Sequence, residues 1–424
     1  MPDFCSRCQP RARWALHLGL ALALVFAAVA SLAPAAADAQ GAFLNSLNRF
    51  ESRAYNIYTN LSRAEAVEYG RHMDLIYRAY TRQFRQLRGG QREKQDMYLL
   101  RTRRDYIRAM GEFGINASAS GGMFFWNNTM TGMSTWVEGV PRDYVFATLQ
   151  HEGFHQFAHH KLGDELPLWV NEGLAEYFGA AIIVDGDVRT GIIDKERVDT
   201  IRAAFADGTA LGFVELLETD MARWHHNMRT GSPKGSLQYD QSWALVHFLI
   251  HGDKGKYRSG FGRYLVLLSN GRDHAQAFRE VFGDNTGRFA RRWARFIETA
   301  ETDHYSLALK RLQFLGAGLL HLHRTSAADP PTDVDALRAA LRASEFEVAS
   351  LTDAGPKTTA ASDETLYAYE DKNGDPHPFE LLPAEEGSRL PPTLRAGELR
   401  PVPTLTWARD DEDNLRAEVA YSRR

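Results

Sequence analysis

The residues whose types and spacing can do chemistry lie together at His151-Glu152-Gly153-Phe154-His155. On a helix, positions i and i+4 share a face about 6 Å apart along the axis, so both imidazoles can reach a single ion. Glu152 projects beside that face, where a carboxylate can take a proton from a metal-activated water. Two histidines and a glutamate also occur on solvated helices, so the pattern needs a third ligand. Leu168-Trp-Val-Asn-Glu172-Gly-Leu-Ala-Glu176-Tyr-Phe178 offers one. Gly163 stops the first helix and Pro167 suits the first turn of the next. The arm from His155 to its helix end is about 9 Å and that from Pro167 to Glu172 about 7.5 Å. If the helices pack antiparallel, arms of similar length bring Glu172 opposite His155. Two His and one Glu leave a fourth position for water, the composition of a catalytic zinc site rather than a closed structural one. Glu176, one turn on, faces the same way and can accept the other ring N–H of a ligand histidine.

Other histidines carry less. His159 continues the i+4 series but lies about 12 Å from His151, too far to share the ion. His225, His226, His321 and His323 read as ordinary polar positions. Cys5 and Cys8 lie in the N-terminal segment that would be removed, so a mature chain has no thiols and any metal site must use His, Asp and Glu.

These residues need a scaffold of elements. Phe50 to about Leu87 reads as mostly helical, with a capped start at Leu61-Ser62-Arg63-Ala64-Glu65 and a Gly-Gly break at 89 and 90. Met97 to Leu100 and Gly121 to Trp126 read as strands, separated by a short helix over 104–111. Two long helices follow, around 142–162 and 168–183. Further helices are expected at about 197–219, 239–250, 257–269 and 274–283, and Phe289 to His323 is mostly helical. The fold class is α+β: a small mixed sheet with the histidine-bearing helix, a helical subdomain, and a small C-terminal module of β pattern. The boundaries read as 40–324 for the main unit, with its sheet in about 40–140 and its helical part in about 141–324. Residues 325–344 form a linker and a short helix. Residues 345–424 are a β module or a flexible tail, with hairpins expected at 365–382 and between Leu405–Ala408 and Leu415–Tyr421.

Fifty Lys and Arg against 54 Asp and Glu give a formal net charge of -4. That balance carries no footprint for nucleic acid and no polybasic membrane patch. Arg7, Arg11 and Arg13 precede an apolar stretch from Trp14 to about Ala33, and Ala37-Asp38-Ala39 supplies a small-residue cleavage site. Residues 1–39 therefore read as a signal peptide and the protein as exported to the periplasm or outside; the alternative is a retained N-terminal anchor.

The pair H-E-G-F-H and L-W-V-N-E-G-L-A-E-Y-F resembles the gluzincin superfamily, typified by thermolysin and the zinc aminopeptidases. The layout is most similar to its poorly characterised secreted peptidase-like members. The resemblance covers 40–324 loosely and is specific between 148 and 178. It implies one zinc per chain held by His151, His155 and Glu172, Glu152 as general base, Glu176 behind the ligands, and a peptide or protein substrate. Tyr239-Asp-Gln-Ser-Trp-Ala-Leu-Val-His-Phe-Leu249 is similar to the tyrosine-led helix of such peptidases, which implies Tyr239 as the donor to the developing oxyanion, with His225 and His226 as the alternatives. The metzincin pattern is excluded, because Ala158 and Lys161 stand where it needs Gly and His. Aminopeptidases of the superfamily carry G-x-M-E-N, whereas Gly121-Gly122-Met123 is followed here by Phe124 and Phe125, which favours endopeptidase action. A non-catalytic exported zinc-binding protein of the same fold is the other reading.

Overall fold

The computed structural model describes residues 41–87, 93–118, 120–127, 130–140, 142–163, 166–230, 232–325, 329–352, 355–384, 387–409 and 413–423. The expected signal segment and the Gly89-Gly90 break lie outside them. In chain order the first elements are α1 (Ala42–Ser46), β1 (Asn48–Glu51), β2 (Tyr55–Thr59), α2 (Arg63–Gln83), β3 (Gln95–Leu100), α3 (Arg103–Glu112), β4 (Gly122–Trp126) and β5 (Thr131–Trp136). Next come α4 (Arg142–Leu162), α5 (Leu168–Gly179), β6 (Ile182–Val184), β7 (Asp187–Arg189), α6 (Lys195–Ala206), α7 (Phe213–Glu218), α8 (Met221–Arg229) and α9 (Lys234–Gly255). The helices α10 (Arg258–Ser269), α11 (His274–Phe282), α12 (Thr286–Glu298), α13 (His304–Thr325) and α14 (Val334–Ala343) follow. The C-terminal strands are β8 (Glu347–Thr352), β9 (Gly355–Ala360), β10 (Ala368–Glu370), β11 (Pro376–Pro378), β12 (Glu380–Leu382), β13 (Thr393–Arg395), β14 (Val402–Arg409) and β15 (Leu415–Ser422). The class is α+β with a mixed sheet.

That sheet runs in the order β1-β2-β3-β5-β4, with β2, β3 and β5 parallel and both edges antiparallel. Tyr55, Ile57, Met97, Leu99 and Met133 share one core with α2 and α4, while Tyr98, Leu100, Met123 and Phe125 pack with α3 in another. Alternation along each strand thus fills both faces and leaves β4 as an edge beside α4. The capped start at Ser62 is present as a full capping box with Glu65. The helical reading of the preceding residues is corrected: β1 and β2 form an antiparallel hairpin, because Tyr55, Ile57 and Thr59 alternate into the core with period two. The helix expected over 197–219 is two, α6 and α7, parted where Gly208 takes a positive φ of 68°.

The boundary expected at 324 also moves. Helix α13 buries Tyr305, Leu309, Leu312, Leu315 and Leu319 in one core with Leu337, Leu341, Tyr367, Leu394 and Leu405 of the C-terminal module. A cut at 324 would run through that core. The module itself is strand-built: β14 pairs with β15 from Val402↔Ser422 to Arg409↔Leu415, β10 pairs with β11, and β12-β13-β14-β15 form an antiparallel sheet. Asp371 closes the β10–β11 turn by accepting from the N–H groups of Asn373 and Asp375. The β6–β7 hairpin packs on this unit: its Val184 enters the second core and its Arg189 guanidinium lies 4.4 Å over the Tyr305 ring.

Candidate metal centre

Helix α4 is buried from Thr148 to Ala158, flanked by the sheet and α2 on one side and by α5 on the other. Gln150 clamps it to α5. Its amide donates to the carbonyls of Phe178, Gly179 and Ala181 at 2.9, 2.9 and 3.0 Å, so the end of α5 is tied one residue before His151. The Gln150 side-chain oxygen faces His72 Nε2 at 2.7 Å, and burial holds that imidazole down at about 4, neutral at ordinary pH. Helix α5 is held on its far side by α9. A Cβ on Gly173 would come within 2.5 Å of the Ser242 carbonyl, so only glycine permits that approach.

The antiparallel pair brings three groups to one point. His151 Nε2 and His155 Nε2 are 3.0 Å apart, and each lies 3.6 Å from Glu172 Oε2. All three side chains are buried, Glu172 completely. Both Glu172 oxygens lack a hydrogen-bond partner among the described residues. A carboxylate buried without hydrogen bonds costs several kcal/mol unless a cation meets it. These three residues could hold a metal ion; the donor set fits one, because it offers two ring nitrogens and an otherwise unpaired carboxylate.

Further polar residues hold these side chains in place. Glu176 Oε1 lies 3.3 Å from His151 Nδ1, and Asn171 Oδ1 lies 3.1 Å from His155 Nδ1. Arg197 of α6 donates to Glu176 Oε2 at 2.7 Å and to Asp240 Oδ1 of α9 at 2.9 Å, with its guanidinium 5.3 Å over the Trp243 ring. Burial pushes the Glu176 carboxyl up, but Arg197 and His151 more than reverse this and hold it at about 2. Burial likewise opposes the His151 cation, yet Glu172 and Glu176 hold its pKa well above the ordinary value. Glu172 falls below its usual range despite burial, because both imidazoles face it.

Glu152 is 1% exposed, and its Oε2 accepts from the Phe124 N–H of β4 at 2.7 Å. Burial raises its carboxyl above the ordinary value, against the two imidazoles and that N–H. Tyr239 is buried near the start of α9, its ring 4.9 Å from Trp224. Burial, then the charges of Glu172, Glu176 and Glu152, push its hydroxyl well above 10, so it remains a donor.

The remaining histidines are elsewhere. His159 packs its ring 5.5 Å from Phe124 and 5.3 Å from Trp126, while His225 and His226 lie half-buried and exposed on α8. Sequence reasoning missed Asn171, Gln150, Arg197, Asp240 and the Phe124 N–H. Asp240, next to Tyr239 in an apolar helix, was the available signal for a buried partner; nothing local marks Arg197.

Residues 145–264 match a family described as a protein of unknown function (DUF1570). The match spans most of α4, all of α5 to α9 and the first half of α10, and so takes in His151, Glu152, His155, Asn171, Glu172, Glu176, Arg197, Tyr239 and Asp240, but not His72 or Phe124. No curated protein matches the chain.

Proposed function

We propose that this protein is an exported zinc-dependent peptidase of gluzincin type, with one zinc per chain on His151, His155 and Glu172. The observation that carries the reading is the buried Glu172 carboxylate, without a hydrogen-bond partner among the described residues and facing two imidazole nitrogens 3.0 Å apart. When bound, zinc supplies a Lewis acid and acidifies water toward neutral pH. Glu152 takes the proton of the attacking water and returns it to the leaving amine, a role suited to its raised pKa. The Phe124 N–H steadies one Glu152 oxygen. Tyr239 donates to the developing oxyanion, and Glu176 fixes the His151 tautomer through Nδ1. Beyond the Phe124 N–H engaged by Glu152, the outer edge of β4 suits pairing with an extended peptide. Phe124 and Phe125, where aminopeptidases of this type carry a glutamate, favour internal cleavage. Export rests on residues 1–39; among the described residues, no helix is long and apolar enough to cross a membrane.

A second reading, a non-catalytic exported zinc-binding protein of the same fold, is favoured by burial: His151, Glu152, His155 and Glu172 are each at most 4% exposed. Elemental analysis and a peptide library, with and without chelator, test both. Close to one zinc per chain, its loss in His155→Ala and Glu172→Ala, and chelator-sensitive cleavage support the enzyme. Full zinc in both variants removes the site. Bound zinc without any cleavage leaves the second reading.

A further inference from the structure

On the α2 side of the sheet, a cavity of about 550 Å³ opens between the second half of α2, the β1–β2 turn and the lead-in to β3. From α2 and the residues just after it come Asp74, Tyr77, Arg78, Thr81, Arg82 and Arg85, a stripe at i, i+3, i+4, i+7, i+8 and i+11. Arg53 and Lys94 add to the opposite wall. The acidic residues do not balance these cations. Asp74 is already engaged, accepting from Ser52 Oγ and the Ala54 N–H at 2.8 Å and from the Arg53 N–H at 2.9 Å. That engagement also pins the turn carrying Arg53 against the helix. Lys94 pairs with Glu51 at 2.6 Å. Arg53, Arg78, Arg82 and Arg85 have no ion pair or side-chain hydrogen bond among the described residues, and Glu93 is the one remaining lining carboxylate. Cations near a helix C-terminus favour its dipole, which accounts for Arg82 and Arg85. It does not account for Arg78, a turn earlier, or for Arg53 on another element.

We infer that this cavity binds a polyvalent phosphate-type oxyanion, with the guanidiniums as paired donors and the half-buried Tyr77 as an apolar wall. Guanidinium forks match phosphate oxygens two at a time, and converging unpaired arginines repel one another until an anion neutralises them. The oxyanion can belong to a soluble phosphoester or to an anionic lipid headgroup. The inference stands apart from the metal centre and does not need it.

The test is calorimetric titration of the full mature chain with inorganic pyrophosphate, at low and at raised ionic strength. One saturable site that weakens with salt is expected. Arg78→Ala/Arg82→Ala should weaken it at least about tenfold, and Arg53→Ala severalfold. These side chains are exposed, so thermal midpoint and metal content should stay at wild-type values in each variant. Flotation with phosphatidylcholine vesicles, with and without phosphatidylglycerol, separates the sources. Arginine-dependent flotation on the anionic vesicles assigns a headgroup, and pyrophosphate binding without flotation assigns a soluble phosphoester. Neither pyrophosphate binding nor flotation, or equal affinity in the double variant, overturns the inference.

Discussion

Around α4 and α5 the first core buries His151, Glu152, His155, Glu172, Glu176 and Asp240 among its apolar side chains. The second core, built by α13, α14 and the C-terminal strands, buries apolar side chains and, among the described residues after 303, one polar one, Ser306. Burying a charge costs several kcal/mol unless it is paired, so a core that needs only stability omits it. The first core tolerates its charges through a chain of contacts from His151 to Glu176, Arg197 and Asp240, and its Glu172 carboxylate faces the two imidazoles at 3.6 Å with no hydrogen-bond donor among the described residues. The contrast separates a core that buries paired charges around a group able to hold a metal ion from a core that is almost wholly apolar.

The largest expected effect is at Glu152. On the proposed mechanism Glu152→Gln removes the base without touching a proposed ligand, and turnover of a cleaved library peptide should fall by about 100- to 10,000-fold with zinc content unchanged. Wild-type turnover in that variant would remove Glu152 from the mechanism. Tyr239→Phe, which deletes one buried hydroxyl, should lower kcat roughly 100- to 1000-fold at constant zinc and thermal midpoint. A change in KM alone would assign Tyr239 to packing against Trp224.

In the second core the expected sign of effect is reversed. Leu394→Ala and Leu312→Ala remove completely buried side chains and should each cost about 2–5 kcal/mol in denaturant unfolding, with zinc stoichiometry intact in the folded protein. Loss of zinc at full stability would mean that the two cores are not separable in this way. A chain ending at 324 should aggregate or unfold, because it exposes the α13 face that Leu394 and Leu405 cover.

Arg197→Met tests the link inside the first core. It leaves Glu176 and Asp240 buried without their shared cation, and zinc affinity by competition with a chelator should fall about 10- to 100-fold. Partial rescue by Arg197→Lys is expected if charge matters more than the fork.

The smallest effect joins the two regions. Asp194 caps α6 and pairs with Lys310 of α13; burial raises its carboxyl, but Lys310 outweighs burial and holds it at about 2. Its folded-state pKa is depressed, so its stabilisation is present above the unfolded value near 3.8 and is lost as pH falls through about 2. Asp194→Asn should therefore cost roughly 1–2 kcal/mol near neutral pH and flatten the acid limb of unfolding between pH 4 and 2. An unchanged acid limb would remove that pair from the docking of α13.

Much of this was legible along the chain where the information is local. The i, i+4 histidines, the Ser62–Glu65 capping box, the stop at Gly163 and the pairing of Leu405–Ala408 with Leu415–Tyr421 each depend on residues within a turn or a hairpin. The β1–β2 hairpin was hidden because its short alternating run borders the strong helical period of α2, which captured the reading. The membership of α13 in the C-terminal core was hidden for a different reason. An amphipathic helix states that it has an apolar face, not which partner covers it. By itself, then, the sequence determined which side chains can act and which short elements carry them. Tertiary structure alone decided that α5 returns antiparallel to α4 and that Phe124 lends its N–H to Glu152. It also decided that Arg197, 21 residues beyond Glu176, bridges it to Asp240. Such partners are chosen by packing between elements distant in the chain, and no spacing within one element encodes the distance between two.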